Sequence, residues 1–307
     1  MSAIAQARRG LALGAIAGLG IYRPPADAPL ARRVTGPELT GVSNRVQAVQ
    51  GLSTPSLAAG AARAALRAAG VNSSDLEMII VGTTTPDVLW PTTACLVQTE
   101  LKLPMVASFD LYAAETSLLA ALNVGIRYIE AGARGVLVIG AASDNQLVDL
   151  PGQGGALHGR GAAAAVLTRA GGDGGVLATM AGGAARSEGN GETEERALLL
   201  GLAAGVTDCL QKAKLEMSEI DLVIGEQSAP EITRAWSKAA GVTPARLLLD
   251  PARYGALLAA APLTALHDAV KDGRLQTGMT ALLLGCGSGP TWAAACLRWN
   301  GGGIAAW

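Results

Sequence analysis

Seven residues, Ser74-Asp75-Leu76-Glu77-Met78-Ile79-Ile80, return without a gap as Ser218-Glu219-Ile220-Asp221-Leu222-Val223-Ile224, 144 residues further on. The helical patterns ahead of them keep the same register, with Leu66 against Leu210 and Ala69 against Ala213. A second correspondence sets Phe109-Asp110, the helix that follows and the strand Val136 to Gly140 against Leu249-Asp250, a helix over Leu257 to Val270 and the strand Ala281 to Gly285. Two similar units in one chain usually face each other across a pseudo-twofold, with a site built where they meet. Chance similarity of ordinary helix-strand units is the alternative.

Between these landmarks helical and strand patterns alternate, which predicts α/β architecture with sheets covered on both faces. The patterns predict strands over Leu13 to Ile21, Met78 to Gly82, Gly135 to Gly140 and Ala162 to Leu167, and helices over Ser56 to Ala69 and Thr93 to Leu101. Ala26 to Gly51 reads as a polar loop region, Gly152 to Gly161 as a glycine-rich loop, and Gly182 to Arg196 as an acidic, mobile loop. The 307 residues are half apolar and 16% charged, enough for a large core, but aromatic residues are only 3%, so Ala, Leu, Val and Gly must fill it. A net charge of -1 leaves no electrostatic footprint for nucleic acid or an anionic membrane, which points to a small-molecule or protein partner.

Arg8-Arg9 followed by Gly10 to Ile21 imitates a signal peptide, but glycines break the apolar run and Tyr22-Arg23-Pro24-Pro25 ends it like a strand leaving a sheet. The expectation is a first strand in a cytoplasmic protein with no transmembrane helix. Cys95, Cys209, Cys286 and Cys296 form no C-x-x-C pair and read as reduced, mostly buried thiols.

Phe109 to Ser117 carries the chemistry. A short buried strand, Val106 to Leu111, meets a small-residue bend at Ala113 and Ala114, then a helix from near Glu115 with Leu118, Leu119, Leu122, Val124 and Ile129 at helical spacing. Glu115 is thereby delivered to a helix N-terminus, where free N–H groups and the helix dipole stabilise an anion or a nucleophile. Many enzymes place a thiolate at such a point.

Ile79 to Asp87, Pro91 to Gln98, Phe109 to Ala114, Asp272-Gly273-Arg274-Leu275 and Gly285 to Trp299 together resemble ketoacyl synthase III of the thiolase fold, over about Ile16 to Trp299. The resemblance implies a five-layered αβαβα thiolase-like fold with two pseudo-twofold related lobes, 1–172 and 173–307, and a dimer formed through the first. Family members load an acyl group from coenzyme A onto a cysteine. A histidine and an asparagine then promote decarboxylation of malonyl-carrier protein, and a carbon–carbon bond forms. At those three positions this sequence carries Glu115, Glu226 and Ala256. The family loop that offers backbone N–H groups to the thioester oxygen corresponds to Gly287, Ser288 and Gly289.

These replacements oppose condensation. An acyl-Glu would be a reactive anhydride, not a stable intermediate. Ionised Glu226 repels a developing enolate where imidazole donates to it, and Ala256 donates nothing from its side chain. Plain malonyl decarboxylation is disfavoured for the same reason. Gly41 to Gln47 lacks the Trp with which relatives hold the adenine and keeps one Arg45. Glu231 stands where relatives present a basic residue to the carrier protein, which would repel that acidic partner, although Arg234, Lys238 and Arg246 form either a modest basic face or a solvated helix surface.

His158 occupies a position that lines the family's pocket, so Glu115, His158 and Glu226 are the candidate site. They would act as general acid and base, hold a divalent metal, or be an inert hydrogen-bonded substitution. No metal ligand set or cofactor is assigned. His267 reads as a surface residue. Three functions follow: a condensation-inactive subunit paired with an active ketosynthase III-like homologue (or with itself), an enzyme of altered acyl-thioester chemistry, and an acyl-ligand-binding protein. Acyl-CoA or acyl carrier protein are the implied small-molecule and protein partners.

Overall fold

The computed structural model describes residues 12–23, 53–103, 105–143, 160–185, 191–287 and 289–306, without the side chains of 191–193, 255 and 256. In chain order the first half runs β1 (Ala15–Tyr22), α1 (Thr54–Ala69), β2 (Leu76–Thr83), α2 (Thr93–Leu101), β3 (Ala107–Leu111), α3 (Ser117–Glu130), β4 (Gly135–Ala142) and β5 (Gly161–Thr168). The second half runs β6 (Gly175–Gly183), α4 (Gly191–Ala213), β7 (Leu222–Ile224), α5 (Pro230–Ala239), β8 (Leu247–Leu248), α6 (Pro251–Tyr254), α7 (Ala261–Lys271), β9 (Thr280–Gly287), β10 (Thr291–Arg298) and β11 (Gly303–Ala306).

The sheet orders express the sequence repeat directly. The first sheet is β11-β1-β5-β4-β2-β3 and the second β6-β10-β9-β7-β8, so apart from β11 the same path is traced twice. Strand alternation sorts the core into three layers. Ile79, Val81, Leu137 and Ile139 face outward onto Leu57, Ala61 and Ala65 of α1 and Val97 of α2. Met78, Ile80, Val136 and Val138 face inward, where α3 and α7 lie between the sheets and meet Leu222, Ile224, Ala281 and Leu283 of the second sheet. Val223, Leu282 and Leu284 face outward again, onto Leu202 and Val206 of α4 and Trp236 of α5. Small residues let these layers close: a Cβ on Gly20 of β1 would sit 2.3 Å from the Ala61 carbonyl of α1, so helix and strand meet backbone to backbone. That contact explains a core with so few aromatic rings.

Several expectations need correction. Ala107–Leu111 is the outer strand of its sheet and its residues are partly exposed, because an apolar run on an edge strand is covered on fewer sides than one in the centre. The expected loop over Gly182 to Arg196 is strand up to Gly183 and helix from Gly191. Its acidic residues Glu194 and Glu195 belong to the first turns of α4, where the helix dipole favours them. The expected helix from Leu257 is instead a 3₁₀ stretch, Gly255–Ala260, broken at Leu258 (φ 43°, ψ -122°), and α7 starts only at Ala261. α1 starts two residues before its expected position, because Ser53 caps it by accepting from the Ser56 N–H and Pro55 fits the first turn. The Ala26 to Gly51 region, Arg45 and most of the Gly152 to Gly161 loop lie outside the described residues. No helix among the described residues is long and apolar enough to cross a membrane.

Candidate functional site

Glu115 is presented by a tight, self-bonded bend. Ala114 sits at φ 49°, a left-handed conformation that costs an L-residue about 1–2 kcal/mol. The bend is held by backbone bonds from Thr116 N to Ala113 O and from Ser117 N to Ala114 O, each 3.1 Å. Two hydroxyls lock it further: Thr116 Oγ1 donates to Ala113 O and Ser117 Oγ to Ala114 O, both at 2.6 Å, while Ser117 Oγ accepts from Ala113 N at 2.9 Å. α3 begins at Ser117 behind a Thr116 N-cap, so Glu115 stands immediately ahead of the helix rather than inside it.

Glu226 comes from the loop after β7 and is 1% exposed. That loop is stapled by Gln227, whose Nε2 donates to Gly225 O (2.7 Å) and Leu248 O (3.1 Å) and whose Oε1 accepts from Asp250 N (2.8 Å). Thr233 Oγ1 closes it by donating to the Glu226 carbonyl at 2.9 Å. Glu226 Oε1 accepts from both Ser228 N and Ser228 Oγ at 2.9 Å, but Oε2 is buried with no hydrogen-bond partner. Burial pushes the carboxyl up to about 7; the Ser228 bonds oppose the rise and the negative charge of Glu115 adds to it.

The two acids meet over one strand. A Cβ added to Gly285 of β9 would lie 3.7 Å from Glu226 Oε2, and one added to Gly287 would lie 2.0 Å from Glu115 Oε2. Both glycines face the same side, so β9 forms a side-chain-free wall against which the carboxylates rest. Cys286 between them points the other way, with Leu282 and Leu284. Burial, then the charges of Glu226 and Glu115, push its thiol well above the usual range. It cannot stand in for the missing thiolate.

The remaining candidates are distributed differently. Gly289 (φ 110°) directs its N–H to Glu194 Oε1 of α4 at 3.4 Å. Ser288 and His158 lie outside the described residues, as does the side chain of Ala256, whose backbone belongs to the 3₁₀ stretch before α7. His267 is not a surface residue: it is 3% exposed, because α7 is packed between the sheets. Its Nδ1 lies 3.1 Å from Asp268 Oδ1.

Asp268 itself was not singled out by the sequence reading. It gathers Arg23 Nη2 and Arg253 Nη2 at 2.6 Å each and the Tyr254 hydroxyl at 3.0 Å. Two adjacent polar residues inside the apolar run Ala265-Leu266-His267-Asp268-Ala269-Val270 were the available signal. Ser228 and Gln227 were also missed as the groups that hold Glu226. Among the described residues no cluster of three or more His, Cys, Asp or Glu could hold a metal ion.

Residues 109–184 match the family described as 3-Oxoacyl-[acyl-carrier-protein (ACP)] synthase III, and residues 210–299 match its C-terminal part. The chain is 34% identical over 285 residues to Beta-ketoacyl-[acyl-carrier-protein] synthase III of Xylella fastidiosa, covering 85% of this chain and 88% of that protein. It is 33% identical over 319 residues to the synthase of the same name from Rhizorhabdus wittichii, covering 95% and 100%. Among solved structures, the Thermus thermophilus beta-ketoacyl synthase III superposes with a TM-score of 0.80 at 28% identity, over 94% of this chain and 99% of that one. OleA from Xanthomonas campestris shares the fold, with a TM-score of 0.79 at 20% identity over 93% and 98%. The repeated sheet order, the bend before α3 and these matches agree, and the chain belongs to the 3-oxoacyl-[acyl-carrier-protein] synthase III family.

Proposed function

We propose that this chain is a condensation-inactive member of its family that works beside an active ketosynthase III-like homologue in fatty acid or polyketide-type biosynthesis. The observation that carries the reading is the carboxylate of Glu115 ahead of α3, at the position where relatives load the acyl group. A carboxylate forms no stable acyl-enzyme there, and Glu226 adds a second acid where the reaction needs a donor. The edge of the first sheet supports the partner role. β3 has no neighbour on its outer side among the described residues, and Leu89, Trp90, Met105 and Tyr112 are exposed around it. Trp90 is held near this strand because Asp110 of β3 accepts from the first N–H groups of α2, Thr93 and Ala94, at 2.7 Å each. An open strand edge ringed by large apolar side chains suits strand-to-strand pairing with a second chain of the same fold.

One observation favours a second reading. Glu226, with a carboxyl near 7 and an unpartnered oxygen beside Glu115, has the properties of a general acid–base poised at neutral pH, which would serve altered acyl-thioester chemistry such as transfer, hydrolysis or cyclisation. Co-expression with an intact homologue separates the two. The first reading expects a 1:1 complex whose activity is nearly unchanged by Glu115→Gln, and no covalent adduct on this chain by intact-protein mass spectrometry after incubation with acyl-CoA. A homodimer whose turnover collapses by about 10²–10⁴-fold on Glu115→Gln would replace it with the second.

A further inference from the structure

We infer that a cavity at the C-terminal end of α5 is a binding site for a free aliphatic carboxylate, independent of the role proposed above. The cavity measures about 450 Å³ and has Arg234, Ser237 and Lys238 on one wall and Val242, Leu247 and Leu249 on another. Helical spacing makes the polar wall, since positions three and four apart share a face. The turn from α5 into β8 supplies the apolar one. Lys238 lies eight residues into α5, roughly 12 Å along the axis from the end that adjoins Glu226.

Three details point to an anionic head group. Ser237 is 3% exposed and its Oγ has no hydrogen-bond partner, although a buried helical serine ordinarily donates to the carbonyl one turn back. Lys238 has no carboxylate within ion-pair distance among the described residues. Arg234 gives Nη1 to Glu231 Oε1 at 2.6 Å and keeps further N–H groups on its guanidinium. Lys238 and Arg234 against Glu231 leave a net single positive charge, which matches a monoanion rather than a phosphate dianion.

The helix end does not oppose that charge strongly. The carbonyls of Trp236, Ser237 and Lys238 already accept from Ala240 N, Val242 N and Gly241 N. Arg246 takes no part: its guanidinium donates to the carbonyls of Met217 and Ile220 instead. The expected basic face therefore narrows to Arg234 and Lys238. The apolar wall selects a tail, and a volume in the lower part of the small-molecule range admits a chain of roughly eight to twelve carbons. An acyl thioester lacks the carboxylate, so a free acid is the class.

Titration calorimetry with decanoate on the full chain tests the assignment. Decanoate should bind with one-to-one stoichiometry, and Lys238→Met, at an exposed position that folding does not need, should weaken it by roughly 10- to 100-fold, the value of a charge-assisted hydrogen bond. Methyl decanoate should bind as weakly to the unaltered chain as decanoate does to the variant. Ser237→Ala should weaken binding less, and Glu226→Gln should leave it unchanged. Absence of binding overturns the inference. So does binding that responds to Glu226→Gln and ignores Lys238→Met, which would place the acid between the sheets.

Discussion

Glu226 and Asp268 are buried to nearly the same depth, 1% and 2% exposed, yet their surroundings move their acidities in opposite directions. Burial pushes both carboxyls up. At Asp268 that push is outweighed by hydrogen bonds from His267, Arg23 and Tyr254 and by the charge of Arg23, which hold it well below the usual carboxylate range. At Glu226 the hydrogen bonds from Ser228 and, less, from the Gln227 backbone do not outweigh it, Glu115 reinforces it, and the group is pushed up to about 7. Depth sets the size of the problem and the partners decide its sign. Asp268 is a structural clasp: Arg23, just after β1, reaches α7 through it, while Arg23 and Arg253 lie 6.0 and 5.3 Å from the centre of the Tyr254 ring. Glu226 is held in a charged-form-averse setting of the kind found where proton chemistry is done, and the comparison can be broken at either end.

The largest effect is expected at the clasp. Asp268→Ala leaves two guanidiniums and a tyrosine hydroxyl facing each other around a hole. The buried Tyr254 hydroxyl and His267 Nδ1 each lose their partner, at about 1–3 kcal/mol apiece, and two half-exposed guanidiniums lose their counter-charge, a loss measurable by urea denaturation at neutral pH. Because its folded pKa is depressed, Asp268 contributes stability that is present above the ordinary carboxylate range near 4 and is lost as pH falls through the acidic range below it. The variant should therefore lack part of the acid-induced loss seen in the parent. A cost under about 1 kcal/mol would mean that Arg23 and Arg253 find solvent instead, and the contrast with Glu226 would fail.

Glu226→Gln should act in the other direction. A carboxyl raised from 4.5 to about 7 on folding costs nothing below 4.5 and an increasing amount as pH rises through 7, reaching about 3 kcal/mol. The glutamine keeps an oxygen for the Ser228 donors and removes the charge. Its stability should match the parent near pH 4.5 and exceed it by about 3 kcal/mol at pH 8.5. Equal stability at both pH values would show that Glu226 is solvated when charged, and the orphaned Oε2 would then have a water partner.

How much of this was legible in the sequence depends on the distance over which each feature is made. The repeat of Ser74 to Ile80 at Ser218 to Ile224 foretold two equivalent sheet paths, because a buried parallel strand writes itself as a continuous apolar run. The same logic misjudged Val106 to Leu111, since an apolar run does not say whether a strand is central or at an edge. Glu194 and Glu195 looked like a polar loop because acids at a helix start and acids in a loop are locally identical. Glu115 could be read locally, from a small-residue bend that delivers it to the start of a helix, whereas Glu226 became a candidate only through the resemblance to a family in which that position is a histidine. The wall of Gly285 and Gly287 joins residues more than a hundred apart, and no local pattern carries it. Asp268 was hidden for the same reason: its partner Arg23 comes from the far end of the chain.

The smallest expected effect probes whether Glu115 and Glu226 titrate as one unit. Glu115 contributes to the raised pKa of Glu226 less than burial does and less than the Ser228 bonds take away, so its charge is a minor influence if the two carboxylates merely sit on neighbouring glycines. Glu115→Gln should then lower the midpoint of Glu226, followed by carboxyl carbon NMR, by a fraction of a pH unit and leave a single clean titration in both proteins. If instead the carboxylates share a proton, the parent should show two macroscopic steps that belong to the pair, and the variant should collapse them into one with a displacement of more than about one unit. The first outcome fits a vestigial site in which Glu115 only occupies the place of a lost nucleophile. A shared proton would give the pair a donor at neutral pH, the property that condensation-inactive chains do not need and acyl-thioester chemistry does.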